Sequence, residues 1–132
     1  MPGTTNLGDP VVDAALTIQK SGLISLNRPA YVTFGRPSTV ELLYDRAASV
    51  LGLRAVDPQA RHGYPVRSAT GRGNGPYVVS ALAFTRFYDI DISRSRRWPI
   101  TVRDGVLLAD LSDAPSAVTG TQLASVLSNM HR

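Results

Sequence analysis

The chain is predicted to be a strand-rich α+β protein, and three observations predict it. Short runs of alternating apolar residues, bounded by Gly, Pro and Asn, recur along its length, as half-buried strands require. The order strand, turn, strand, short helix, strand, turn, strand runs over residues 16–56 and again over 63–111. Aligning Ala30-Tyr31 with Ala83-Phe84 also sets Phe34 against Phe87, and Val50-Leu51 meets Val106-Leu107 after a shift in the intervening loop. A repeat of this kind predicts two similar ββαββ units, 14–56 and 63–111, forming one barrel-like core with a C-terminal helix appended.

Each element has a local reason. Residues 1–13 are polar and hold Pro2, Gly3, Gly8 and Pro10, which predicts a loose leader. Leu16/Ile18 and Ile24/Leu26 alternate on either side of Lys20-Ser21-Gly22, a tight-turn signature, so the first hairpin is predicted there. Asn27 followed by Arg28-Pro29 suits a helix start, and Gly35 suits its end. Val40–Asp45 and Val50–Val56 form the second predicted hairpin, and Asp57 to His62 is a linker by composition. In the second unit, Tyr64–Arg67 and Tyr77–Ser80 are strands around a stretch with Gly71, Gly73 and Gly75. Ala81–Tyr88 is a helix expected to turn Leu82 and Phe84 inward. Trp98–Val102 and Val106–Leu111 are predicted to pair across Asp104-Gly105, a strong hairpin signal. Residues 112–132 are a linker and an amphipathic helix, with Leu123, Val126, Leu127 and Met130 on one face at i, i+3, i+4 and i+7. That stripe is a candidate partner-binding surface, with docking on the body and self-association as the competing expectations.

Composition narrows the function classes. The chain has 132 residues, 43% of them hydrophobic, enough for a real core, and no apolar run approaches a membrane span. No secretory signal is evident, and the expected location is cytoplasmic. Without cysteine there is no disulfide and no thiolate metal site. The net charge of +4 favours an anionic partner. All the basic residues but Lys20 are arginine, whose planar fork donates bidentately to phosphate, although a GC-rich genome also favours Arg codons.

The element order resembles the swapped-hairpin family of bacterial regulators and antitoxins, the AbrB/SpoVT type. The residues that carry the resemblance are Leu16 to Leu26, with Val40 to Val56 as the second hairpin. Two units in one chain look like the MraZ-like tandem arrangement, covering residues 14–111. The resemblance implies a swapped-hairpin-like barrel core, assembly into dimers or larger oligomers, and duplex DNA binding through a basic face. The chain departs from the family in having Gly22-Leu23 where Gly-Arg is usual, which leaves Lys20 and Arg28 as substitutes.

Three basic features are candidate DNA contacts: Arg94, Arg96 and Arg97 beside Trp98, Arg72 in the Gly-rich tip, and Lys20 with Arg28. Catalytic signals are thin. His62 and His131 lie outside any patterned element, and Asp89 with Asp91 has no third ligand nearby. The Gly71–Gly75 stretch precedes a strand and lacks the Lys-Ser/Thr of a phosphate loop. The expected protein is therefore a non-enzymatic DNA-binding regulator with no cofactor and no metal. The alternative is a protein-interaction module, antitoxin-like or an assembly protein, working through its C-terminal helix.

Overall fold

A computed structural model describes residues 12–73, 75–112 and 130. β1 (Ala15–Ile18) and β2 (Leu23–Leu26) form the first hairpin, and Gly22 takes the left-handed conformation its turn needs, at φ +82°. A methyl group on Gly22 would lie 2.6 Å from Leu82 Cα, so this glycine also lets α2 approach. α1 (Arg28–Phe34) starts at Asn27, has Pro29 in its first turn and ends at left-handed Gly35. β3 (Thr39–Asp45) and β4 (Val50–Ala55) form the second hairpin. Then follow β5 (Tyr64–Pro65), β6 (Arg67–Ser68), β7 (Tyr77–Ser80), α2 (Leu82–Phe87), β8 (Arg96–Pro99), β9 (Thr101–Arg103) and β10 (Val106–Asp110). Asp104 and Gly105 both have positive φ, 53° and 76°, as the predicted β9–β10 turn requires.

The strands form two five-stranded antiparallel sheets. Sheet A has the order β6-β7-β2-β1-β8 and sheet B the order β5-β3-β4-β10-β9. Neither sheet closes on itself. The chain first passes between them through α1, from β2 to β3, and then twice more through a single residue after a proline: Pro65 hands β5 to β6 at Val66, and Pro99 hands β8 to β9 at Ile100. Proline has no N–H to continue a ladder, so each strand stops there and the chain turns into the other sheet. The expected Trp98–Val102 strand is thus two strands in two sheets: Trp98 pairs with Leu16 in sheet A, and Val102 with Leu107 in sheet B.

The core lies between the sheets. Leu16, Ile18, Ile24, Leu26 and Val79 from sheet A meet Leu42, Leu51, Leu53 and Leu107 from sheet B, all essentially inaccessible. α1 contributes Ala30 and Phe34, and α2 contributes Phe84 and the fully buried Thr85, whose hydroxyl donates to Leu82 O at 2.8 Å. Leu82, expected inward, is exposed, because the inward face of this short helix is set by Phe84 and Thr85. Arg46 holds the end of α2: its guanidinium donates to Phe87 O and lies 5.0 Å from the centre of the Tyr88 ring.

A second apolar cluster, Leu43, Val50, Val106 and Leu108, lies on the opposite face of sheet B, with Ala48 and Met130 packed against it. Leu123, Val126 and Leu127 fall outside the described residues.

Asn27 ties the first unit together. Its Oδ1 accepts from the N–H groups of Ala30 and Ala15 at 3.1 and 3.0 Å, and its Nδ2 donates to Asp13 O at 2.6 Å. The Asn27→Ala variant loses the helix cap together with the anchor of β1. It is expected to be less stable by about 2–3 kcal/mol in urea denaturation, more than a cap alone contributes. A loss under about 1 kcal/mol would show that the anchor of β1 adds nothing to the cap.

Candidate nucleic-acid interface

Strand alternation decides which side chains of sheet A face away from the core. Register places Arg67, Val78, Ser25, Thr17 and Arg97 side by side on that outward face, one from each strand. Of the central residues, Val78 and Ser25 are buried and Thr17 is half-buried, and an exposed arginine stands at each edge. Five strands span about 19 Å at the usual inter-strand spacing. Arg67 also donates to Ser80 Oγ at 3.1 Å, which steadies its guanidinium across β6 and β7.

Charge separates between the sheets. The strands of sheet A contain Arg67, Arg96 and Arg97 and no acidic residue. Those of sheet B contain Glu41, Asp45 and Asp110 against Arg54 and Arg103. Arg54 is ion-paired to the buried Glu41, its directly opposite cross-strand neighbour.

The six basic residues singled out in the sequence do not form one cluster. Arg96 and Arg97 are consecutive in β8 and point to opposite faces. Arg97 joins the outward row opposite Thr17. Arg96 turns to the core side and is half-buried, its guanidinium 4.9 Å from the centre of the Trp98 ring. Trp98 is buried and packs in the core, so it offers no face for a base. Arg94 is exposed, and the N–H of Lys20 donates to Ser95 Oγ at 3.3 Å, which brings the β1–β2 turn beside Arg94.

Arg28 and Arg72 lie at the other end of sheet A. The Gly-rich loop is held there by two contacts and a close approach of backbones. Tyr77 Oη donates to Gly73 O at 2.6 Å, Tyr31 and Tyr77 stack with centroids 3.6 Å apart, and the position a Cβ of Gly75 would take lies 3.3 Å from Arg28 N. The six exposed basic side chains around the sheet therefore fall at two diagonally opposite corners. One holds Lys20, Arg94 and Arg97, and the other Arg28, Arg67 and Arg72. Arg67 was not singled out in the sequence. The alternation in Tyr64–Ser68 was the available signal, but the break at Val66 resets it.

Other chemistry is sparse. A cavity of about 180 Å³ lies beside Arg96 and is lined by Tyr44, Asp89, Asp91 and Trp98 among others. The Asp91 carboxyl is held below its usual range first by the Ser93 hydroxyl and then by the Ser93 N–H, with smaller help from Arg96 and Arg94. Asp91 is thus engaged in closing its own turn, with Ser93 N donating at 2.9 Å. Burial pushes the Tyr64 phenol up, with a further contribution from Tyr88. His62 is exposed in the linker. Among the described residues, no group of three His, Cys, Asp or Glu side chains is placed to hold a metal, and no helix is long and apolar enough to cross a membrane.

No family model, no curated protein and no solved structure matches this chain.

The different settings of the three arginines separate experimentally. Arg96→Ala is expected to lower stability by about 1 kcal/mol through loss of its contact with the Trp98 ring. Arg94→Ala and Arg97→Ala are expected to stay within about 0.5 kcal/mol of the parent, as exposed substitutions do. Thermal melts followed by the fluorescence of the single tryptophan make the comparison, and equal losses at all three positions would contradict the assignment.

Proposed function

We propose that this protein binds duplex DNA through sheet A. The supporting observation is the charge separation: an acid-free sheet framed by arginines at both edges and basic residues at two corners, backed by a sheet that holds the strand acids. Sequence-independent affinity for a duplex comes from guanidinium and ammonium groups that neutralise phosphates and release counterions. A span of about 19 Å between the two arginine-bearing edges reaches phosphates on both sides of a major groove about 12 Å wide. Arg97, Arg94 and Lys20 would contact one strand of the duplex, and Arg67, Arg28 and Arg72 the other.

The same reading treats the two sheets, joined at both edges by Val66 and Ile100, as one barrel-like core made from two related ββαββ units. The order β1-β2-α1-β3-β4 supports the duplication, with β5/β6, β7, α2, β8/β9 and β10 as the corresponding elements. The swapped-hairpin regulators remain the family it would resemble, and a homo-oligomer the expected state.

The alternative, a protein-interaction module, is favoured by α2, where Phe87 is 67% exposed and Leu82 also faces outward. A Phe87→Ser variant that altered sedimentation and left DNA affinity unchanged would move the weight to that reading.

The decisive measurement is binding to random duplex DNA at two salt concentrations. The Arg67→Ala/Arg97→Ala double variant is expected to bind more weakly at low salt, with a salt slope of log K shallower by about 0.9 for each phosphate contact removed. Arg103→Ala, on the edge strand of sheet B, is expected to bind as the parent does. Absence of parent binding at about 50 mM salt, or an equal effect from Arg103→Ala, would overturn the assignment.

A further inference from the structure

The face of sheet B that points away from the core is covered. Register sets Glu41, Arg54, Val106 and Arg103 in one row, and Leu43, Gly52, Leu108 and Thr101 in the next. A face open to solvent would expose these apolar side chains, yet Leu43, Val106 and Leu108 are all buried, Leu108 completely. Thr101 is buried there as well, and its hydroxyl finds no hydrogen-bond partner. An apolar occupant suits a face that leaves a hydroxyl dry, since a wet face would satisfy it.

One residue from beyond the last strand is seated on this face. Met130 packs against the cluster over Gly52, where a methyl group would lie 3.1 Å from Met130 Cε and 3.2 Å from its Sδ. The same position is 3.2 Å from Val106 Cγ1, so Gly52 is the floor of a slot walled by Val106 and filled by Met130. Methionine suits such a seat because its unbranched thioether adapts to an irregular gap. In the sequence, Met130 ends the stripe that begins with Leu123, and seventeen residues separate it from Ser112, ample chain to return across the sheet. His131 and Arg132 follow Met130 in the sequence, and the strands beneath the slot carry Glu41, Asp45 and Asp110.

We propose that the outer face of sheet B is a docking surface whose occupant is this chain's own C-terminal segment, 121–130, anchored by Met130 in the slot over Gly52. The segment caps the apolar face of the acid-bearing sheet within the same molecule. This inference does not depend on DNA binding and goes beyond that reading.

The absence of native cysteine makes a direct test available. A single thiol, Val106→Cys, is introduced into the full chain and its rate of alkylation by a maleimide is followed. With Met130 intact the thiol is expected to react slowly, at a rate independent of protein concentration. Combining it with Met130→Ala is expected to raise the rate, and Met130→Asp to raise it further, by about tenfold or more, because a charge cannot remain in an apolar slot. Met130→Leu, which keeps the apolar volume, is expected to retain most of the protection. Melting by circular dichroism stays cooperative in the Ala and Leu variants, which separates release of the segment from unfolding of the sheets. Equal rates with and without the Met130 side chain would overturn the proposal. Protection that disappears on dilution would also overturn it, by assigning the occupant to a second copy or another protein.

Discussion

The architecture depends on two prolines. Pro65 and Pro99 each end a strand in one sheet, and the next residue but one begins a strand in the other. The local pattern is the same in both places: an aromatic residue, proline, then a β-branched residue, in Tyr64-Pro65-Val66 and Trp98-Pro99-Ile100. The missing N–H stops the ladder, and the β-branched side chain that follows turns toward the interior, fully buried in the case of Ile100. Because β8 and β9 are one stretch of chain, sheet A and sheet B cannot slide past each other without breaking the Trp98–Leu16 and Val102–Leu107 pairings together. The core between the sheets is held at both edges by covalent continuity as well as by burial.

The register set by these hand-overs also sorts the charge. A strand shifted by one residue would bring Arg97 into the core and Arg96 out to solvent. In the observed register Arg96 covers Trp98, an aromatic ring near the edge of the core, and Arg97 stands clear of it. Three arginines that look equivalent along the chain therefore take up three physical roles. One lies in an exposed loop, one packs on an indole, and one sits on the outer face of a sheet. The acid of sheet B is handled differently, with Glu41 buried beneath Arg54 and Asp45 accepting from Ala48 N–H in its own turn.

The two sheets differ in what their outer faces require. Sheet B carries Leu43, Val106 and Leu108 outward and needs a cover, and Gly52 leaves the depth for one. Sheet A carries Val78, Ser25 and Thr17 outward between Arg67 and Arg97, so its charge stands at its edges. The pairing of an apolar face that is capped with a basic face that is framed gives the molecule two distinct sides, and the distinction arises from side-chain parity within strands.

Much was legible in the sequence because it rests on local chemistry. Asn27 and Gly35 delimit α1 through capping geometry, Gly22 and Asp104-Gly105 make turns by adopting positive φ, and alternation located β1 to β4. The sheet-rich α+β class and the excess of arginine were visible for the same reason. The inward face of α2 was misjudged because six helical residues are too few for periodicity to fix a side, so Thr85 took the place expected of Leu82. The division of Trp98–Val102 between two sheets, the separation of Arg96 from Arg97, and the entry of Arg67 into the outward row depend on which strand lies beside which. Those pairings link residues tens of positions apart, as in Leu16 with Trp98, and no local preference encodes them. Composition determined that this protein is basic, whereas only tertiary register decided where that charge is presented.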